Sequence, residues 1–331
     1  MDLSDLQKKA EPGLKSWVEE SFEWSKLPGD AGNRSYYRLK SSKRSLMLMV
    51  NAIDAFKSEE AAATGQKIST ELDFVNIGRD WRSQGIQVPE ILWVSQDSHL
   101  VLLEDFGDLL LFVRRQAGNA HEEYRRALLE LVKIQNSKPS PRILSRGFSK
   151  ELLAWEFEHF VEYALEKRSK PMSAGQLASL RIWMKTVVDH LSALPQIVCH
   201  RDYHSKNLIV RESGLIGVID FQDALMGPDT YDLASLLRDS YVRFEDAEEE
   251  ELLQSFESAA RKKIDRTQFG LISLQRNMKA AGRFYYIQIV KGRDSHIPFV
   301  KPSLQRIFRS LKQLNEIEIL SILETSMAGD Y

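Results

Sequence analysis

A chain of 331 residues is long for one compact domain and comfortable for two, because domains run to about 100 to 200 residues each. Apolar residues make up 43% and charged residues 28%, enough apolar content to bury a core, which excludes disorder through most of the length. Lysine plus arginine, 45, nearly balance aspartate plus glutamate, 47, so no general field draws the chain to nucleic acid or an anionic membrane, and any polyanion site must be local.

The single cysteine, Cys199, excludes an intrachain disulfide, and no Cys/His cluster has structural zinc spacing. Met1 to Phe22 carries charges throughout in place of the apolar core of roughly 7 to 15 residues that marks a secretory signal. Apolar runs such as Leu109 to Val113 are shorter than the about 20 residues needed to cross a bilayer. These features predict a soluble, cytoplasmic monomer with neither a nucleic-acid nor a membrane partner.

From Leu3 to Phe22 the spacing of Leu3, Leu6, Ala10, Leu14, Trp17 and Val18 predicts two short helices parted at Pro12-Gly13. After the turn Pro28 to Asn33, the segments Arg34 to Leu39, Ser45 to Asn51, Ile91 to Ser95 and His99 to Leu103 are short and rich in aromatic and branched residues. They predict strands of one antiparallel sheet. Between them Leu72, Val75, Ile77 and Trp81 predict a helix over Ser69 to Gly85, stopped by Gly85 with Pro89 beyond. Past Glu104-Asp105-Phe106-Gly107-Asp108 the periodicity becomes helical, through Tyr124 to Ile134 and Leu177 to Leu194. The one β insertion expected there is a hairpin of Leu208 to Val210 and Leu215 to Ile219 about Glu212-Ser213-Gly214. The acidic run Glu245 to Glu251 reads as a solvated helix start. The expectation is an α+β fold of two lobes: residues 1–103 form a small antiparallel sheet with a helix, 104–108 a hinge, and 109–331 a larger, mainly helical lobe.

The densest chemistry flanks that hairpin. His200-Arg201-Asp202-Tyr203-His204-Ser205-Lys206-Asn207 has the spacing H-R-D-x-x-x-x-N, and Asp220, in Ile219-Asp220-Phe221-Gln222, follows Asn207 by thirteen residues. Phosphoryl-transfer loops have this layout: one aspartate accepts the proton of an attacking hydroxyl, while an asparagine and a second aspartate hold magnesium on nucleotide phosphates. The hairpin gives the spacing meaning, because it returns Asp220 beside Asn207. The plainer reading is a polar loop with a buried capping aspartate. His200 and His204 are read as packing and backbone-bonding groups, since a loop lacks the helix that turns histidines four apart into a zinc site. Cys199 is read as a small buried side chain. Walker A and G-x-G-x-x-G sequences are both absent.

These motifs resemble those of the aminoglycoside phosphotransferase superfamily, two-lobed kinases of small molecules with a protein-kinase-like fold. Ile219 to Ala224, Gly227-Pro228 and Tyr231 to Asp239 are more particularly similar to bacterial kinases that phosphorylate carbon 1 of N-acetylmuramate and N-acetylglucosamine in peptidoglycan recycling. Gly29-Asp30-Ala31 with Arg34, Tyr36 and Arg38 also match, as do Leu103 to Asp108, and Gln275-Arg276 through Lys279 to Gly282 with Arg293-Asp294. The resemblance spans nearly the whole chain. It implies ATP and Mg2+ as cofactors, an amino-sugar acceptor, and a nucleotide bound by the small lobe. Asp202 would orient and deprotonate the acceptor hydroxyl, and a hemiacetal hydroxyl is acidic enough for a modest base. Asn207 and Asp220 would supply hard oxygen ligands to magnesium. Gly32 and Asn33 would fold over the phosphates, Arg34, Arg38 and Met49 would line the nucleotide side, and the backbone of Glu104, Asp105 and Phe106 would face adenine. Glu156, Arg238, Asp239, Tyr241, Gln275 and Lys279 would surround the acceptor beside Asp202.

One departure matters. Kinases of this plan carry a third-strand lysine for the phosphates, yet Ser45 to Asn51 contains none, so Arg34 or Arg38 is expected to supply that cation. A second enzyme reading changes the acceptor to an aminoglycoside, choline or another alcohol; the mixture of Arg238, Lys279 and Asp239 disfavours the cationic antibiotics. A reading of another class, a catalytically silent nucleotide-binding module, is opposed by the presence of Asp202, Asn207 and Asp220 together.

Overall fold

A computed structural model describes residues 2–17, 20–28, 34–51, 71–97, 99–167 and 172–328. Five strands form one antiparallel sheet in the order β1-β2-β3-β5-β4: β1 Glu23–Lys26, β2 Arg34–Lys40, β3 Ser45–Asn51, β4 Ile91–Val94 and β5 Leu100–Glu104. Alternation along β3 makes this sheet two-sided. Leu46, Leu48 and Val50 face a small cluster with Leu6, Ala10, Leu39, Leu100 and Leu102. Met47 and Met49 turn the other way, to a larger core that includes Phe74, Val75, Ile77 and Trp81 of the helix Glu71–Ser83.

Two local expectations need correction here. At Pro12-Gly13 the first helix, α1 (Leu3–Ala10), does not break; it tightens into a 3-10 segment over Glu11–Trp17, a turn that proline's fixed φ tolerates. The strand β1 was not expected, because Glu23-Trp24-Ser25-Lys26 carries one apolar side chain. It is an edge strand, with a charged and mostly exposed face, paired only through Trp24↔Leu39 and its neighbours.

Beyond β5 the chain is helical. With Glu71–Ser83 as α2, the helices are α3 Leu111–Gln116, α4 His121–Gln135, α5 Pro141–Leu144, α6 Lys150–Phe160, α7 Ala174–Ser192, α8 Tyr231–Leu237, α9 Asp246–Ala260, α10 Arg266–Lys291, α11 Val300–Gln313 and α12 Ile317–Ser326. The anticipated hairpin is present as β7 Leu208–Val210 and β8 Ile216–Val218. It is not the sole β element of this lobe. β6 Gln196–Cys199 pairs with β9 Leu225–Pro228, with Cys199 opposite Leu225. That ladder brings both ends of residues 200–224 together, so the hairpin and both motifs hang from one base. Cys199 is buried at this base, its Sγ 3.5 Å from the Pro228 carbonyl, and burial pushes its thiol well above the usual range. Among the described residues no helix is long and apolar enough to cross a membrane.

Where the lobes meet, Phe106 lies on the hairpin. A Cβ on Gly217 would stand 2.3 Å from the Phe106 ring, so this close approach requires glycine. The Arg211 guanidinium covers the same ring at 4.1 Å.

Candidate active site

The loop after β6 is held by its own backbone. The buried Asp232 carboxylate accepts the amides of His200 at 2.6 Å and Arg201 at 2.9 Å. Burial pushes the Asp232 carboxyl up to about 6. Asp202 donates its amide to His200 Nδ1 at 3.3 Å, which leaves Nε2 to donate to the Ile219 carbonyl at 2.9 Å. His200 therefore ties the loop to the residue before Asp220. Arg201 and Asp220 have φ of 79° and 64°; non-glycine residues in this region each cost on the order of 1 to 3 kcal/mol and concentrate at functional sites.

Three motif residues come together on this frame. Asn207 ends a 3-10 turn, Ser205–Asn207, and its Nδ2 donates to the Asp202 carbonyl at 3.0 Å. Its own carbonyl accepts the Ile219 amide at 3.0 Å, which sets Asp220 next to it. The Asp220 carboxylate accepts from Gln222 Nε2 at 3.0 Å and lies 3.8 Å from Arg34 Nη1. Among the described residues no three His, Cys, Asp or Glu side chains form a metal cage. One carboxylate and one amide oxygen are instead the sparse donor set that suits magnesium shared with phosphates.

Asp202 is governed by a buried network. Lys279 Nζ lies 3.8 Å from Asp202 Oδ1 and 3.1 Å from Glu156 Oε1, and donates to the Tyr231 hydroxyl at 3.3 Å. The Glu156 side chain is 0% exposed and also takes Arg201 at 3.1 Å and Gln275 Nε2 at 2.7 Å. Asp202 keeps 41% of its side-chain surface exposed. Burial would raise its pKa, but Lys279, Arg201, His204 and Arg276 outweigh burial and hold the carboxyl well below the usual range. Burial likewise opposes the charge on Lys279, and Glu156 and Tyr231 overcome it, so this ammonium is held above its ordinary value.

The nucleotide-side expectations divide. Arg34 stands at Asp220, with its guanidinium 5.8 Å from the Phe74 ring, which stacks on Phe221 at 4.7 Å. Arg38, on the same face of β2, is bound to carboxylates: it donates to Asp105 at 2.7 Å and to Asp108 at 2.5 Å and 2.7 Å. Asp105 also takes Ser45 Oγ at 2.5 Å and the Gly107 amide at 2.9 Å. The Glu104 amide donates to the Glu90 carbonyl at 2.9 Å, and its carboxylate pairs with Arg211 and Arg82. Phe106 packs on the hairpin as described, and Met49 is fully buried in the core. Gly32 and Asn33 lie outside the described residues.

On the acceptor side, Glu156, Gln275 and Lys279 form the network beneath Asp202, and Arg238 and Asp239 do something else. Arg238 has a side chain 7% exposed and is bound to Glu249 at 3.0 Å, Ser310 at 3.3 Å and Gln313 at 3.2 Å. It clamps α8 to α9 and α11, and its charge is used there. Asp239 is buried, accepting the Ser205 amide at 2.9 Å and Ser205 Oγ at 2.5 Å, so it caps the turn Ser205–Asn207. Tyr241 is half-buried beside His204, at 5.3 Å between rings.

Some contributors escaped the sequence. Asp73 of α2 pairs with Arg142 at 3.0 Å and Arg146 at 2.7 Å, and Arg146 donates to the Gln222 carbonyl at 2.8 Å. This buried link fixes α2 to the segment carrying Asp220. Its signal was an acidic residue in α2 with no lysine in β3 to receive it.

Comparison with known proteins agrees with this geometry. Residues 23–268 match the family described as phosphotransferase enzyme family. A Neisseria meningitidis protein named N-acetylmuramate/N-acetylglucosamine kinase is 28% identical, over 96% of each chain. A Pseudomonas aeruginosa protein of the same name is 31% identical over 66% of this chain and 63% of its own. Among solved structures, the choline kinase LicA from Streptococcus pneumoniae superposes with a TM-score of 0.62 at 17% identity, covering 94% of this chain and 99% of that one. The ADP-bound aminoglycoside phosphotransferase APH(2'')-Ib gives 0.60 at 14% identity, covering 92% and 98%. With a two-lobed kinase-like fold and a family match across most of its length, the chain belongs to the phosphotransferase enzyme family.

Proposed function

We propose that the protein transfers the γ-phosphate of ATP to the anomeric hydroxyl of N-acetylmuramate and N-acetylglucosamine. One observation carries the reading: Asp202, kept ionised by Lys279 over the buried Glu156, is linked to Asn207 and, through Ile219, to Asp220. A relative aligned over 96% of both chains is named N-acetylmuramate/N-acetylglucosamine kinase. Mg2+ bound with ATP would be held by Asn207 and Asp220 and would neutralise charge on the phosphates. Asp202 takes the proton of the sugar hydroxyl, the freed oxygen bonds to the γ-phosphorus, and the β,γ-bridging P–O bond breaks with its electron pair leaving on ADP. A carboxylate is a modest base, and a hemiacetal hydroxyl, more acidic than an ordinary alcohol, asks no more of it. ATP use and a lone, buried cysteine fit a cytoplasmic enzyme.

Arg34 supplies the cation that β3 lacks. Arg34→Met is expected to raise the KM for ATP by about tenfold to a hundredfold, the scale of a lost charge-assisted hydrogen bond. Arg38→Met is expected to leave that KM within about threefold and to lower thermal stability, because it strips two hinge carboxylates of their partner. The reverse pattern would give the phosphate role to Arg38. The acceptor is tested by ADP release with N-acetylmuramate, N-acetylglucosamine and kanamycin side by side. Turnover of both sugars is expected; turnover of kanamycin alone would overturn the reading.

A further inference from the structure

Two packed helices of the helical lobe, α8 and α10, hold a pair of cations one above the other. Arg276 and Lys279 stand three residues apart on α10, hence on one face and about 4.5 Å apart along its axis. Across from them Tyr231 and Ser235 stand four apart on α8. Lys279 donates to the Tyr231 hydroxyl at 3.3 Å and lies 3.8 Å from Asp202 Oδ1. Arg276 Nε donates to Ser235 Oγ, which donates in turn to the Tyr231 carbonyl at 3.0 Å. Arg276 is therefore one helical turn from the lysine that meets Asp202, and its charge acts on Asp202 and on His204.

The cations of this region are completed differently. Lys279 and Arg201 each meet the Glu156 carboxylate at 3.1 Å, and Arg238 meets Glu249 at 3.0 Å. Arg276 is 5% exposed, yet among the described residues its side chain makes one hydrogen bond, to a hydroxyl, and no ion pair. Its two terminal nitrogens bond no protein atom and are not sealed from solvent. A guanidinium taken out of water without an anion is costly, and such a departure is retained where a ligand makes it good. With Nε tied to Ser235, the rest of the fork is set before a ligand arrives, which lowers the cost of ordering it. The two nitrogens of a planar guanidinium match the two oxygens of a carboxylate.

The two sugars differ in one respect that this fork can read. N-acetylmuramate carries a lactyl ether on oxygen 3, and its carboxylate is anionic at neutral pH; N-acetylglucosamine has a neutral hydroxyl there. Carbon 3 is two ring bonds from the reacting carbon 1, so its substituent falls to one side of the hydroxyl that meets Asp202. Resting on the amino-sugar reading, we infer that Arg276 binds the lactyl carboxylate of N-acetylmuramate and sets a preference for that sugar over N-acetylglucosamine. The phosphates have a cation from the other lobe, since Arg34 of the sheet stands 3.8 Å from Asp220.

The test is steady-state kinetics of the full chain and of Arg276→Gln on three acceptors: N-acetylmuramate, its lactyl amide and N-acetylglucosamine. For the unsubstituted protein kcat/KM should be about tenfold to a hundredfold higher for N-acetylmuramate than for either neutral sugar, the scale of one charge-assisted hydrogen bond. Arg276→Gln should bring the three within about threefold of one another, with the change in the KM for N-acetylmuramate. Any influence of Arg276 on Asp202 falls on all three acceptors alike and cancels in the ratios. Turnover of N-acetylglucosamine by the variant shows that it is folded. If it does not fold, the amide decides on the unsubstituted protein: equal kcat/KM for acid and amide refutes the subsite. Unchanged ratios with a raised KM for ATP would give Arg276 to the phosphates and overturn the inference, and an equal loss on all three acceptors overturns it as well. Equal turnover of all three by the unsubstituted protein refutes the subsite and leaves the amino-sugar reading standing; turnover of none overturns that reading and this inference with it.

Discussion

Asp202→Asn is expected to lower kcat by about 10² to 10⁴, the range for losing a general base, while nucleotide affinity stays within about twofold. The amide has the shape of the carboxylate, and the contact holding the loop is to the Asp202 backbone carbonyl, which accepts Asn207 Nδ2; the substitution leaves it in place. Lys279 keeps Glu156 as a partner, so no buried ammonium is stranded. Asp202 already carries 41% of its side-chain surface exposed, which limits the cost to stability. Single-turnover ADP release and titration with a nonhydrolysable ATP analogue separate chemistry from binding. A loss below about tenfold would mean that the proton leaves the sugar by another route. A large loss of nucleotide affinity would mean that Asp202 serves the phosphates.

The acidic position of this carboxyl also shapes the pH profile. Because Lys279, Arg201, His204 and Arg276 together override burial, Asp202 stays ionised throughout the range in which most proteins remain folded. Its protonation should therefore impose no loss of kcat/KM between about pH 5 and 7.

Legibility in the sequence followed the range of the interactions. β3 and the hairpin were readable because alternation and a glycine turn are local signals. The meeting of Asp202, Asn207 and Asp220 was readable because the hairpin is itself local. β6 and β9 escaped, since their pairing of Cys199 with Leu225 spans the whole motif region and each strand is too short to show a period. Side-chain partners over long separations were the least readable. Arg38 and Arg34 sit four apart on one strand, and nothing local says that the first bends to Asp105 and Asp108 while the second stands at Asp220. Arg238 and Asp239 lie in a stretch matching a sugar kinase, yet each is consumed by a residue no pattern names, Glu249 and Ser205.

Lys279→Met should have two separable effects, because the ammonium serves Asp202 on one side and Glu156 on the other. For Asp202, losing the strongest of the opposing cations leaves burial less opposed, so its pKa rises. The acid limb of kcat/KM then moves up from below the usual carboxylate range toward or above it, and activity is lost as pH falls through the new value. For Glu156, a fully buried carboxylate is left to Arg201 and Gln275. Removing one partner from a buried pair costs about 3 to 5 kcal/mol, enough to lower the melting temperature by several degrees. The double variant Glu156→Gln, Lys279→Met removes the stranded charge and should recover much of that stability. Its acid limb should stay high, since Asp202 still lacks its ammonium. Recovery of both stability and the original profile would show that Lys279 acts on the fold alone. Recovery of stability with a displaced profile is the outcome expected if Lys279 positions and acidifies the base, and melting curves with kcat/KM between pH 4 and 8 distinguish the two.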